Sequence, residues 1–221
     1  AVPPAHWRER FGQPPADLIA ACQSSEWTAA LLEGWSRAAL AHKSAEWIVP
    51  LWQWWLTTTE PGTPGTPGGL AARELRDQLG ARVPQAVAEP RVAQIMADPS
   101  APAYESWDGL LGALPTPWSA TFGAQFLTHL RAAVATLAQP RQDTAQWLPA
   151  IALAGHTLPP ACFAQALADW EIPTPEDDAK SKHTAAHYDL YQWTTHIERL
   201  CEALRLRQTL YAEIRVEEHP A

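Results

Sequence analysis

The chain has 221 residues, with 16 Lys and Arg against 24 Asp and Glu, and 47% of it is hydrophobic. A chain of this length buries roughly 70% of the surface its unfolded form exposes, so it needs neither disulfides nor a structural metal to fold. Its formal charge of -8 excludes a general nucleic-acid binder, which must offer phosphates a surplus of Lys and Arg. No uninterrupted apolar run is long enough to cross a bilayer. Cys22, Cys162 and Cys201 are odd in number and far apart, without a CxxC pair. They read as reduced core residues, and the expectation is a cytoplasmic protein that meets neither membrane nor nucleic acid. The sequence opens on Ala1-Val2-Pro3-Pro4 without methionine, as expected of a chain processed, trimmed or cut from a longer one.

Apolar residues recur at three and four positions almost everywhere and alternate almost nowhere, which predicts an all-α protein. In chain order the expected helices are Pro15 to Gln23, Glu26 to His42, Ala45 to Thr57, Leu70 to Leu79 and Arg91 to Ala97. They continue with Tyr104 to Ala113, Pro117 to Ala138, Thr144 to Gly155, Pro160 to Trp170 and Thr184 to Val216. The 21 prolines mostly cluster between these segments, where Pro ends one helix or occupies the first turn of the next.

Two connections stand out. A Thr/Pro/Gly-rich run at 57–69 is too poor in apolar groups to fold by itself. As a linker it would leave about three short helices before it, too few to close a core, so the reading is one domain over 1–221 with this run as a loop. An acidic Pro-rich loop at 171–182 carries Glu171, Glu176, Asp177 and Asp178.

Twelve tryptophans against one methionine point to a Trp-heavy core padded with alanine. Ser24-Ser25-Glu26-Trp27, Ser44-Ala45-Glu46-Trp47 and Thr144-Ala145-Gln146-Trp147 share one pattern: a hydroxyl to cap, an acid or amide for the helix dipole, and a Trp on the buried side. Trp107, Trp147 and Trp193 recur near the period of HEAT-like helix pairs, so the expected architecture is an α-α repeat array of nine or ten helices. Along 45–57, Trp47, Ile48, Leu51, Trp52, Trp54, Trp55 and Leu56 cover about 200° of the helix, as expected of an inner helix covered on several sides. By contrast, Trp118, Phe122, Phe126, Leu130, Val134 and Leu137 form a single stripe on a helix at a surface.

Candidate chemistry is thin. His183 and His187 lie one turn apart, with Glu176, Asp177 and Asp178 upstream as further ligands, and this is the best metal-like spacing. Position 184 is Thr, so there is no HExxH base, and the plainer reading is a polar helix start after a solvated loop. Cys162 near a helix N-terminus could be a nucleophile, but its neighbours Phe163, Ala166 and Leu167 make it a core residue. Ser119 lacks a GxSxG elbow; Thr116 as N-cap with Pro117 at the first helical position accounts for that segment. The glycine run carries no phosphate motif. Arg199, Arg205, Arg207 and Arg215 alternate with Glu198, Glu202, Glu213 and Glu217 as on a solvated, ion-paired face. The Trp47 to Trp55 cluster could stack a sugar but has the spacing of core.

The stretch Leu110-Leu111-Gly112-Ala113-Leu114-Pro115-Thr116-Pro117-Trp118-Ser119, followed by Phe126-Leu127 and Leu130-Arg131, resembles a Pro-Trp-Ser segment that opens a long helix in a bacterial helical family, domain of unknown function 5691. The closing segment Trp193 to Arg207 and the helix start Glu26-Trp27 are similar as well. The resemblance covers about two thirds of the chain. It implies a HEAT-like array, no catalytic residues, and a role as adaptor or scaffold beside MoxR-type AAA ATPases, von Willebrand factor A proteins and SWIM zinc-finger proteins. Members are longer, which implies a short member or a C-terminal portion. The expected function is therefore a non-enzymatic helical-repeat adaptor that binds another protein, with no cofactor and with Glu171, Glu176, Asp177 and Asp178 at the contact. The alternative is a metal-dependent or thiol enzyme using His183 and His187 or Cys162. An enzyme needs convergent titratable groups, whereas an adaptor needs a shaped surface.

Overall fold

A computed structural model describes residues 15–22, 28–57, 67–98, 107–135, 147–172 and 185–218. Every regular element among them is helical: α1 (Pro15–Cys22), α2 (Thr28–His42), α3 (Ala45–Thr57), α4 (Pro67–Gly80), α5 (Gln85–Ala97), α6 (Trp107–Gly112), α7 (Ala120–Ala135), α8 (Trp147–Thr157), a 3-10 turn (Pro160–Cys162), α9 (Phe163–Leu167) and α10 (Ala185–Glu218). The chain groups into two compact units. One is Ala1–Ala88 with Gly112–Pro115, and the other is Glu89–Leu111 with Thr116–Ala221.

In the first unit, α3 packs against α1, α2 and α4, and α4 also packs against α2. Trp47, Ile48, Leu51, Trp52, Trp54, Trp55 and Leu56 are all buried, and Glu46, Gln53 and Thr57 are exposed. That is the helix covered on several sides that its sequence predicts. Trp35 of α2 meets Trp47 and Trp54 edge-on, with centroids 5.4 and 6.2 Å apart, the arrangement that ring quadrupoles favour. The Trp55 indole N–H donates to Ser36 Oγ at 2.9 Å, and that hydroxyl donates to Leu32 O at 2.6 Å. A buried polar relay therefore joins α2 to α3. Because α4 follows the Thr/Pro/Gly-rich run and packs on helices that precede it, the run joins parts of one unit. Its residues 58–66 lie outside the described residues, and its last Pro opens α4 rather than ending the loop. Pro67 is tolerated there because the first helical N–H has no intrahelical acceptor.

The turn between α2 and α3 closes without glycine. Lys43 takes a left-handed conformation, φ 51°; its N–H reaches Leu40 O at 3.4 Å and the Ser44 N–H reaches Ala39 O at 3.0 Å. This is a Schellman ending, and Arg82 Nη1 adds a bond to Leu40 O at 3.0 Å. Ser44 does precede α3, as expected, but its Oγ is buried without a hydrogen-bond partner among the described residues, so it caps through backbone alone. The other two copies of the hydroxyl-acid-Trp pattern, with Trp27, lie outside the described residues, apart from Trp147 at the start of α8.

In the second unit, α8 and α10 form the main helix pair, α9 joins α10, and α7 packs on the 3-10 turn and α9. The stripe Trp118, Phe122, Phe126, Leu130 and Val134 is buried, joined by Gly123 and Leu127, and Leu137 lies outside the described residues. Trp118 meets Phe122 and Phe126 at 5.2 and 5.1 Å, and Phe126 meets Trp147 at 6.0 Å. Close approach explains Gly123: a Cβ there would stand 2.8 Å from Cys162 Sγ and 3.1 Å from Pro159 Cδ.

Several boundaries differ from expectation: α4 starts at Pro67 rather than Leu70, and the single helix expected over Pro160 to Trp170 is a 3-10 turn followed by α9, which ends at Leu167. α5 starts at Gln85, six residues early, and runs through Pro90. The expected break rests on the bond a proline removes, yet Val92, Ala93 and Ile95 beyond it and Ala88 before it are all buried, so packing carries the helix through. α7 starts at Ala120, not Pro117. Thr116-Pro117 is a cis peptide ahead of the helix, and the N-cap is Ser119, whose Oγ accepts the Phe122 N–H at 3.1 Å. No described helix is long and apolar enough to cross a membrane.

Candidate functional site

Of the acidic group expected at a partner contact, Glu171 is described and exposed; Glu176, Asp177 and Asp178 lie outside the described residues. So does His183, and His187 sits on α10 with its side chain outside them. Among the described residues, no group of three or more His, Cys, Asp and Glu side chains stands ready to hold a metal ion.

The chain enters the acidic segment from a fixed point. α9 is only five residues long, so nearly all its carbonyls lack intrahelical partners. Arg131 of α7 serves one of them and the two carbonyls that follow the helix: Nη2 donates to Gln165 O at 2.8 Å and to Ala168 O at 3.1 Å, and Nη1 donates to Asp169 O at 2.8 Å. The same guanidinium lies over the Trp170 ring, 4.0 Å from its centroid, a cation-π contact. The Trp170 indole N–H in turn donates to Ala166 O at 3.0 Å. Planar, multiply donating and always charged, Arg fits such a cluster of carbonyls as Lys cannot. Residues 165–170 are thus held from two sides immediately before Glu171.

A second arginine does related work on α10. Arg207 Nη1 donates to Gly155 O near the end of α8 at 2.9 Å, and its guanidinium lies 5.0 Å from the Phe163 ring centroid. Tyr211, one turn on, stands 6.3 Å from the same ring. Arg207 is therefore half-buried against the body, a correction to the uniformly solvated face read from its alternation with glutamates. Arg199, Arg205, Glu198 and Glu202 are exposed as expected. At the other end of the unit, buried Glu89 accepts the Ser119 N–H at 2.8 Å, placing a carboxylate at the positive end of α7.

Sequence reasoning found none of these three polar contacts. Each links residues more than 29 positions apart, and nothing in local spacing marks an Arg that will meet distant carbonyls. Nor does the sequence announce the orphan carbonyls, because the single helix expected over Pro160 to Trp170 is a 3-10 turn and a five-residue helix in the structure.

Two cysteines, Cys162 and Cys201, have described side chains, and both are buried. Cys162 is buried, its thiol 3.4 Å from Ala120 O, and burial pushes its pKa up. Burial also raises the Cys201 thiol, with nearby Arg205 pulling the other way. A thiol held neutral is a poor nucleophile. Burial lowers the pKa of His129 and, with help from the Arg199 cation, that of His196. Ser119 and the Trp47 to Trp55 cluster are absorbed by capping and core packing. No curated protein and no solved structure matches the chain. The family model for a family of unknown function, DUF5691, matches residues 1–214, and the chain belongs to that family.

Proposed function

We propose that the protein is a non-enzymatic helical adaptor or scaffold that binds another protein in the cytoplasm, with its helices laid out as HEAT-like α-α repeats. The observation that carries this reading is the anchored exit from α9. Arg131 and Trp170 fix the chain just ahead of exposed Glu171, and Glu176, Asp177 and Asp178 follow it in the sequence. A local excess of negative charge steers encounter with a basic patch and makes the on-rate sensitive to salt. The tight α2–α3 hairpin and the α8–α10 pair are the kind of unit from which helical repeats are built. The resemblance supplies MoxR-type AAA ATPases and von Willebrand factor A proteins as first candidates for the partner. The thiol-enzyme alternative has less support, because Cys162 is buried with its pKa raised.

Affinity purification from native cells, followed by association kinetics with the co-purifying protein, tests the reading. Neutralising Glu171, Glu176, Asp177 and Asp178 to their amides is expected to slow association and flatten its salt dependence while leaving Tm unchanged. Unchanged kinetics would remove the acidic segment from the contact. A stoichiometric metal lost on His183→Ala with His187→Ala would favour the enzyme instead.

A further inference from the structure

We draw no further inference here: the strongest candidate, the exposed apolar patch that Leu206 and Leu210 form on the outer side of α10, carries none because nothing in the structure shows what covers it.

Discussion

In the first unit one helix, α3, is wrapped by three others, and the joints between them are indoles. In the second unit an aromatic cluster, Trp118, Phe122, Phe126 and Trp147, is joined by polar side chains that reach across to carbonyls and N–H groups at helix ends. The contrast has a physical origin. A helix covered on several sides gains enough from apolar burial that its sides, rather than its ends, decide the packing. A five-residue helix such as α9 is almost all end, so orphan backbone groups must find partners or the burial is lost. Arg131, Arg207 and Glu89 fill that need.

The largest effect expected from this comparison falls in the indole-joined unit. Trp47 is fully buried and meets Trp35 edge-on. Trp47→Ala is expected to cost about 3–5 kcal/mol, a large share of a typical domain's stability. Urea unfolding read by far-UV dichroism measures it, and a loss below about 1 kcal/mol would mean that the site collapses around the gap and that the joint is not specific.

Arg131→Ala probes the other kind of joint. Hydrogen bonds from a charged donor contribute about 1.5–3 kcal/mol each when buried, and here the guanidinium is half-buried, so about 2 kcal/mol in total is expected. Arg131→Lys should recover only part of that, because one ammonium cannot span Gln165 O, Ala168 O and Asp169 O while lying over Trp170. Full recovery by Lys would reduce the clamp to charge alone.

Gly123→Ala tests how tightly α7 sits on the 3-10 turn. The new methyl would lie within 3.2 Å of Cys162 Sγ, Pro159 Cδ and Leu158 Cδ2, and overpacking of this kind costs about 1–3 kcal/mol. In a Cys162→Ala background part of the clash is relieved, so the two substitutions should couple favourably in a double-mutant cycle. Strict additivity would show that Pro159 and Leu158, rather than the thiol, set the spacing.

What could be read in advance follows the same division. The inward set of α3 and the stripe of α7 were legible because helical periodicity reports which sides are buried, and the tryptophans made the signal strong. The extent of α5 was not legible, because Pro90 argues for a break that burial on both sides of it overrides. The start of α7 was misplaced for a related reason: Thr116-Pro117 and Ser119 offer competing caps within four residues, and only the contact with Glu89 from a distant segment favours the later one. The exposed face of α10 is a middle case. Its alternating charges are visible in sequence, yet Arg207 turns inward because Phe163 and Gly155 O lie there, and Leu206 and Leu210 stand out only once the inward face is known.

The smallest expected effect returns to the first unit and to the end of α2, held by side chain and turn geometry together. Lys43 is left-handed at φ 51°, a conformation that costs a non-glycine residue about 1 kcal/mol. Lys43→Gly removes that cost but makes the unfolded chain more flexible, which takes back about half of the gain. The net is stabilisation of about 0.5 kcal/mol, or a Tm rise of about 1–2 °C for a chain of this size. The two Schellman bonds and the Arg82 bond to Leu40 O should be untouched, because none uses the Lys43 side chain. Lys43→Ala is the control: it keeps the Cβ and the strain, so it should not stabilise. If Gly lowers Tm instead, the Lys43 side chain itself contributes at the α2 terminus, and that helix end is then held by two side chains rather than by Arg82 alone.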